Sequence, residues 1–210
     1  MEQERQILTE GLRALGIDPV AELLDHFDVY LRELKKWNKV YNLTAITDDH
    51  DIIVKHFLDS LLYLKVIPQG HIALCDVGTG GGFPGIPIAI IRRDITVTLL
   101  EPSRKKIAFL RQMRRLIALK NVEIINLRAE EMEDRQFDIV VTRATFPVSG
   151  LMKKAGHLLN PGGFFVLSKG PKYEDELKDL PAGTKAEVVV ASIPKTGLSR
   201  NLLIIQGYCY

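Results

Sequence analysis

Residues 74–91 read Leu74-Cys75-Asp76-Val77-Gly78-Thr79-Gly80-Gly81-Gly82-Phe83-Pro84-Gly85-Ile86-Pro87-Ile88-Ala89-Ile90-Ile91. The apolar run from Ile72 to Val77, interrupted near its end by Asp76, predicts a buried strand. Four glycines among the five residues 78–82 predict a tight turn, and Pro84 to Ile91 a helix. Glycine is needed in such a turn because a Cβ would keep the backbone from a ligand and because a left-handed conformation is costly for other residues. Pro84 and Pro87 suit a first helical turn, where the missing N–H has no partner to lose. Strand, glycine turn and helix start together make a site for a nucleotide-like ligand.

Three kinds of nucleotide site use glycine here. A triphosphate loop of the G-x-x-x-x-G-K-[ST] type would use Gly80 and Gly85, but Ile86 stands where its lysine must be. A dinucleotide fingerprint G-x-G-x-x-G fits Gly80, Gly82 and Gly85, yet it should begin directly after the strand, and from Gly78 it fails at Phe83. The third reading is an Asp-x-Gly-x-Gly-x-Gly turn of Asp76, Gly78, Gly80 and Gly82 that binds S-adenosylmethionine. An acid at the strand tip suits an amine-bearing or cationic ligand and would repel a pyrophosphate. Further on, Ile95 to Leu100 is β-branched and apolar, a second parallel strand, and Glu101 ends it. A carboxylate there can accept both hydroxyls of a ribose. It would equally serve as an acid at a helix N-terminus.

The rest of the chain is consistent with one α/β domain: 210 residues, 46% hydrophobic, formal net charge +2. That balance neither demands nor excludes nucleic acid. The two cysteines, Cys75 in the first strand and Cys209 next to last, offer no disulfide framework and predict free thiols in a reducing compartment. No run approaches the roughly eighteen apolar residues of a membrane span, and the start Met1-Glu2-Gln3-Glu4 is wrong for a secretory signal, so a cytoplasmic protein is expected. No metal site is expected.

Before the glycine turn the pattern is helical. A helix from about Glu4 to Leu15 stops at Gly16. A second has Asp18 as cap, Pro19 in its first turn and Val20, Leu23, Leu24, Phe27, Leu31 and Leu34 on one face, and a third runs near Asp48 to Leu64. Lys35, Lys36, Asn38, Lys39 and Asn42 surround Trp37 and Tyr41: either a cationic, aromatic surface for RNA or a solvated helix end whose aromatics anchor the core. His56 and Asp59, three apart on the third helix, share a face, as a structural pair or as part of a substrate-side wall. Ser103 to Lys120 reads as a helix with no acid; its apolar face takes Ile107, Phe109 or Leu110, Met113, Leu116 and Ile117. Its outer face of Arg104, Lys105, Lys106, Arg111, Arg114, Arg115 and Lys120 can follow phosphates. Strand and helix then alternate: Val122 to Leu127, Phe137 to Thr142, Val148 to Leu159, an Asn160-Pro161-Gly162-Gly163 turn, and Gly163 to Ser168. Lys185 to Ser192 and Asn201 to Gln206 predict an antiparallel closing hairpin.

The glycine turn with its Phe83-Pro84-Gly85-Ile86-Pro87 tail resembles that of the bacterial small-subunit ribosomal RNA guanine-N7 methyltransferases, also called glucose-inhibited division protein B. Lys36-Trp37-Asn38-Lys39-Val40-Tyr41-Asn42-Leu43-Thr44, His56-Phe57-Leu58-Asp59-Ser60-Leu61, Thr142-Arg143-Ala144 and Ser168-Lys169-Gly170 agree with it, from about Trp37 to Arg200. The resemblance implies a class I S-adenosylmethionine-dependent methyltransferase with a doubly wound, mostly parallel, seven-stranded sheet. Residues 1–66 would form a helical cap and 67–210 a Rossmann-like core within one domain. Position by position it carries cofactor binding to Gly78, Phe83, Ala129, Glu130 and Arg143, and a basic RNA-facing position to Arg200. Glu130 would otherwise be an ordinary acid at a helix start.

The acceptor follows from what is missing. Cytosine C5 needs a cysteine nucleophile, and neither cysteine stands at a strand end. Exocyclic amines are commonly held by an Asp or Asn followed by prolines after the fourth strand, where this chain has Thr142-Arg143-Ala144-Thr145. Arg143 is a donor only and suits a guanine edge, whose N7 and O6 both accept. Guanine N7 loses no proton on methylation and needs no base. Arg143 would then bond O6, a phosphate or the cofactor carboxylate, and the resemblance favours the cofactor. Lys169 would serve a phosphate or O6, or be a surface lysine, and Asn42, His56 and Asp59 complete the substrate-side candidates. Thr145-Phe146-Pro147 departs from the family pattern. The expected activity is methylation of N7 of a guanine in small-subunit (16S) ribosomal RNA, naked or in the assembled subunit. A small-molecule methyltransferase of the same fold and a non-enzymatic RNA-binding assembly factor are the alternatives.

Overall fold

The computed structural model describes residues 2–143, 147–171, 173–181 and 183–206. The readings made on Ala144, Thr145, Phe146 and Cys209 lie outside them. Seven strands form one sheet in the order β3-β2-β1-β4-β5-β7-β6. They are β1 Ile72–Val77, β2 Ile95–Leu100, β3 Val122–Ile125, β4 Phe137–Arg143, β5 Leu159–Lys169, β6 Lys185–Ser192 and β7 Ser199–Gln206. The first five are parallel, and β7 runs antiparallel to both β5 and β6. The chain steps outward from β1 to β3 and returns to the other side of β1 at β4, so the carboxyl ends of β1 and β4 flank a topological switch point. The glycine turn emerges there.

The strands formed where the apolar runs predicted them, because strands covered on both faces are apolar throughout. One boundary differs by more than two residues. Asn160 to Gly163 is a bulge inside β5 and not a free turn: the register jumps from Phe137 opposite Leu159 to Ile139 opposite Phe164. Asp138 holds it, with one carboxylate oxygen accepting from the Asn160 side chain (2.8 Å) and the other from the Ala73 N–H (2.8 Å).

Before the sheet lie α1 (Glu2–Ala14), α2 (Ala21–Tyr41) and a helical run over residues 49–65, α3. α2 starts later than predicted: Val20 is its cap residue and is 51% exposed, so Pro19 stands outside the helix. Within α3, Ile53–Leu58 widens to π-helical bonding and Leu62–Lys65 tightens to a 3₁₀ turn. π-Helical turns of this kind often mark functional sites. After the glycine turn come α4 (Gly85–Ile91), α5 (Arg104–Leu116), α6 (Val148–Ala155) and a short α7 (Glu174–Lys178) that was not predicted. α5 ends before Lys120, and Leu116 faces outward, 42% exposed, while Phe109 and Leu110 are both buried.

One apolar cluster runs from Leu8, Phe27 and Phe57 of the cap through Ile86 to Leu74, Val97 and Val166 of the sheet. Two buried tyrosines fasten the cap at its polar seam. Tyr30 donates to the Gly81 carbonyl (2.6 Å), and Tyr63 donates to the Thr142 carbonyl (2.6 Å) while accepting from the Ser168 N–H (3.1 Å). Tyr63→Phe keeps the ring and removes both bonds from an interior that excludes water. A loss of about 1–3 kcal/mol in unfolding free energy is expected by urea denaturation; an unchanged midpoint would show that the seam does not hold the cap.

Candidate active site

Asp76 is fully buried at the end of β1. Its Oδ2 accepts from the Thr79 hydroxyl (2.6 Å) and from the Gly85 N–H (2.7 Å), which closes the turn on its own carboxylate. A Cβ at Gly85 would lie 2.8 Å from that oxygen and collide with Leu99, so only glycine lets α4 begin so close to the strand. Gly78, Gly80 and Gly82 take φ values of 68°, 61° and 96°, as the turn's left-handed path requires. Their surroundings differ: a Cβ on Gly80 would meet only the Gly78 carbonyl at 3.9 Å, whereas one on Gly82 would lie 2.7 Å from the Tyr30 hydroxyl. Gly80 is therefore open towards a ligand, and Gly82 is small to admit the cap.

Burial pushes the Asp76 carboxyl up from its ordinary 3.8 to about 6, against the bonds from Thr79 and Gly85, which lower it. Its other oxygen, Oδ1, is buried with no hydrogen-bond partner. One carboxylate oxygen of Asp76 is thus engaged by the turn and shapes the site from behind.

Glu101 does the corresponding work from β2. One oxygen accepts from the Gly80 N–H (2.9 Å), with the Lys106 ammonium 4.0 Å away, and the other accepts from the Ser103 N–H (2.9 Å). A cleft of about 230 Å³ opens beside it, lined by Val77, Gly78, Leu100, Glu101, Leu127 and Ala129. Apolar walls with a carboxylate at one end and exposed glycine backbone at the other fit the adenosine part of S-adenosylmethionine. Glu130 borders the cleft, but its carboxylate accepts from Lys154 (2.7 Å).

Phe83 and Arg143 sit on the cap side of the turn. Phe83 is buried between Tyr30 (ring centroids 5.2 Å apart, 13°) and the His56 imidazole (4.6 Å, 20°). The Arg143 guanidinium lies 4.8 Å from the same ring and donates to the Lys55 carbonyl (3.1 Å) and to His56 Nδ1 (2.9 Å). Burial, and then the Arg143 charge, lower the His56 pKa to about 3. The ring is neutral, and its other nitrogen lies 2.6 Å from the Thr44 hydroxyl.

Other predicted substrate residues are drawn into ion pairs. Asp59, buried, approaches Arg143 (3.9 Å) and Arg200 (3.0 Å); burial raises its pKa against the pull of both arginines. Arg200 thus turns its Nε inward to Asp59, with its side chain 27% exposed. Lys169 pairs with Glu176 (2.8 Å), and its side chain is only 12% exposed. Asn42 caps α2 in the left-handed region (φ 49°) and borders a second cavity. Trp37 packs on Phe109 of α5 (5.8 Å) and anchors the α2 end to that helix. The α5 face remains basic: Arg111, Arg114, Arg115 and Lys120 surround a depression of about 370 Å³.

Tyr30, Tyr63 and Thr79 escaped the sequence reading. Tyr30 falls three residues after Phe27 on the apolar face of α2, a place where a phenol with a buried hydroxyl needs a partner, and that was the available signal.

Because the Asp76 pKa is raised on folding, the native chain holds more protons than the unfolded chain between pH 3.8 and about 6, and the contribution of Asp76 to stability falls as pH rises through that window. Asp76→Asn keeps an acceptor for Thr79 and Gly85 and removes the titration. Relative to this variant, the natural chain should lose up to about 3 kcal/mol of unfolding free energy on going from acid to neutral pH, at about 1.4 kcal/mol per unit. Parallel stability curves for the two proteins in urea would contradict the assignment.

The sequence model of the family described as "GidB: rRNA small subunit methyltransferase G" matches residues 23–203. A Neisseria meningitidis serogroup C protein described as "Ribosomal RNA small subunit methyltransferase G" is 37% identical over 97% of this chain and 99% of its own length. A Stenotrophomonas maltophilia protein of the same description is 38% identical over 95% of this chain and 93% of its own. Among solved structures, a SAM-dependent methyltransferase from Aquifex aeolicus superposes with a TM-score of 0.57 at 18% identity, over 81% of this chain and 96% of that one. A putative S-adenosyl-L-methionine-dependent methyltransferase from Methanococcus maripaludis gives 0.59 at 12% identity, over 86% and 93%. These two share the class I methyltransferase fold read from the glycine turn and the strand order. With the family model matching from α2 to β7 and both relatives aligned almost end to end, the chain belongs to the rRNA small subunit methyltransferase G (GidB) family.

Proposed function

We propose that the protein methylates N7 of a guanine in small-subunit (16S) ribosomal RNA, in the cytoplasm, with S-adenosylmethionine as donor. It works as a single domain whose residues 1–66 cap a core of residues 67–210. The printed description of its relatives supports the class of RNA. The atom is supported by one observation: the described acids and histidine around the carboxyl ends of β1 and β4 are already engaged. Asp76 holds the turn, Asp59 faces two arginines, and His56 accepts from Arg143. None of them is placed as a free base, and N7 has a lone pair and gives up no proton.

S-adenosylmethionine supplies a methyl group already activated by its sulfonium. The chain's work is then to bind and align. Glu101, Gly78, Gly80 and Ala129 would hold the nucleoside end, and Phe83 with Arg143 would border the reacting end near β4. The basic α5 face would attract the phosphate backbone of the RNA, naked or in the assembled subunit, so affinity should fall steeply with salt. A small-molecule substrate would not require that face.

The cofactor assignment predicts that Glu101→Gln, which turns an amide N–H towards the Gly80 or Ser103 N–H, weakens S-adenosylmethionine binding about tenfold or more by calorimetry. An unchanged Kd would remove Glu101 from the site. The reaction is tested with labelled S-adenosylmethionine and small subunits from cells lacking this protein. One labelled guanine, cleaved by reagents specific for N7-methylguanine, is expected. Cofactor binding without label in subunits or in naked RNA would overturn the reading in favour of a small-molecule or non-enzymatic role.

A further inference from the structure

A second cavity, about 540 Å³, opens on the cap, away from the nucleoside cleft; Asn38, Lys39, Asn42, Thr44 and Thr47 supply much of its polar lining. That volume is within the roughly 300–1,000 Å³ of small-molecule sites. Thr44 is held in it by three sets of bonds. Asn38 clamps its backbone at both ends, donating to the Thr44 carbonyl (2.9 Å) and accepting from the Thr44 N–H (2.9 Å). The Thr44 Oγ1 accepts from the Ile46 N–H (3.1 Å) and lies 2.6 Å from His56 Nε2.

The direction of that last bond follows from the start of the chain of bonds. A guanidinium can only donate, so Arg143 forces His56 Nδ1 to be the bare nitrogen. A neutral imidazole then carries its proton on Nε2, which donates to Thr44. With Ile46 as the other donor, both lone pairs of the Thr44 hydroxyl are occupied, and its own proton has no acceptor among the described residues. Thr44 can meet a ligand only as a donor.

We propose that Thr44 reads the substrate base in this cavity: its hydroxyl, obliged to donate by the bond order Arg143 to His56 to Thr44, bonds an acceptor on the base edge, namely O6 if the base is the guanine of the proposed reaction. The inference rests on that reading for the identity of the base. A base with an amino group in that position would set donor against donor, so the same hydroxyl rejects adenine. Lys39, exposed at the rim, is suited to a flanking phosphate. Arg143 and His56 act here as positioning residues, and this places Arg143 on the substrate side as well as beside the cofactor turn.

The test pairs a change in the protein with a change in the base. Small subunits carrying guanine or 2-aminopurine at the methylated position are assayed with the natural protein, Thr44→Val and Thr44→Ser; 2-aminopurine keeps N7 and lacks O6. The natural protein should lose about tenfold in kcat/KM on 2-aminopurine, the usual scale of one well-placed hydrogen bond. Thr44→Val should lose about as much on guanine and nothing further on 2-aminopurine, while Thr44→Ser behaves like the natural protein. Losses that multiply, or none on either change, would overturn the proposal. Should Thr44→Val fail to fold, Thr44→Ala takes its place. A natural protein that labels no guanine would instead overturn the N7 reading. The donor chain is tested apart from any substrate by the ¹⁵N shifts of His56: a proton on Nε2, a bare Nδ1 and no titration from about pH 5 to about 8 are expected. A ring protonated on Nδ1 would overturn the proposal whatever the substrate.

Discussion

The structure depends on a carboxylate that binds back into its own loop. Asp76 sits with zero exposure at the end of β1, tied to Thr79 and Gly85 by one oxygen. Those two bonds decide where the turn leaves the strand and where α4 starts. Its burial is unfavourable for the charged form, which raises its pKa to about 6, and each of its two donors offsets part of that penalty. Gly85 must then lack a side chain, because the carboxylate and Leu99 occupy the space a Cβ would need. Glu101 repeats the device from the neighbouring strand, accepting from Gly80 beside the cleft.

From the turn outward, the cap is part of the site rather than a cover over it. Tyr30 reaches the Gly81 carbonyl, Phe83 is packed between Tyr30 and His56, and Arg143 closes over the face of Phe83. The glycine turn and the cap cavity lined by Thr44 are thereby joined through one imidazole. The π-helical turn at Ile53–Leu58 lies at that junction and carries His56, with Asp59 directly after it. The arginines Arg143 and Arg200, from β4 and β7, converge on Asp59 and pin the two halves of the sheet to the cap. The wider polar surface is simpler: α5 carries a solvated basic face beside the aromatic anchor of Trp37 on Phe109.

Much of this was legible before any coordinates. Runs such as Ile72 to Val77 and Ile95 to Leu100 announce buried parallel strands, because a strand covered on both faces has no polar side to alternate with. The Asp76-to-Gly85 segment likewise announces a tight turn by composition, because glycine tolerates that left-handed path; its closure by Asp76 and Thr79 emerged only in the fold. Glu101 was readable from its place at the end of the second strand. The ion pairs of Lys169 and Arg200 were not legible, because a lone cation in a sequence carries no sign of its partner. Asp59 is distant from Arg200 in the chain, and Glu176, seven residues beyond Lys169, becomes its partner only because α7 turns back against the end of β5.

The sequence alone therefore determined the fold class, the positions of the strands along the chain and the glycine turn, since periodicity and glycine placement are local properties of the chain. Only the tertiary structure decided what each polar group does. How Asp76 ties its loop, which nitrogen of His56 carries the proton, and which way Thr44 donates depend on contacts between residues up to 87 positions apart, as between His56 and Arg143. A hydrogen bond has a direction, and in this site the obligate donor that sets it is brought from the far end of β4 by the folding of the sheet against its cap.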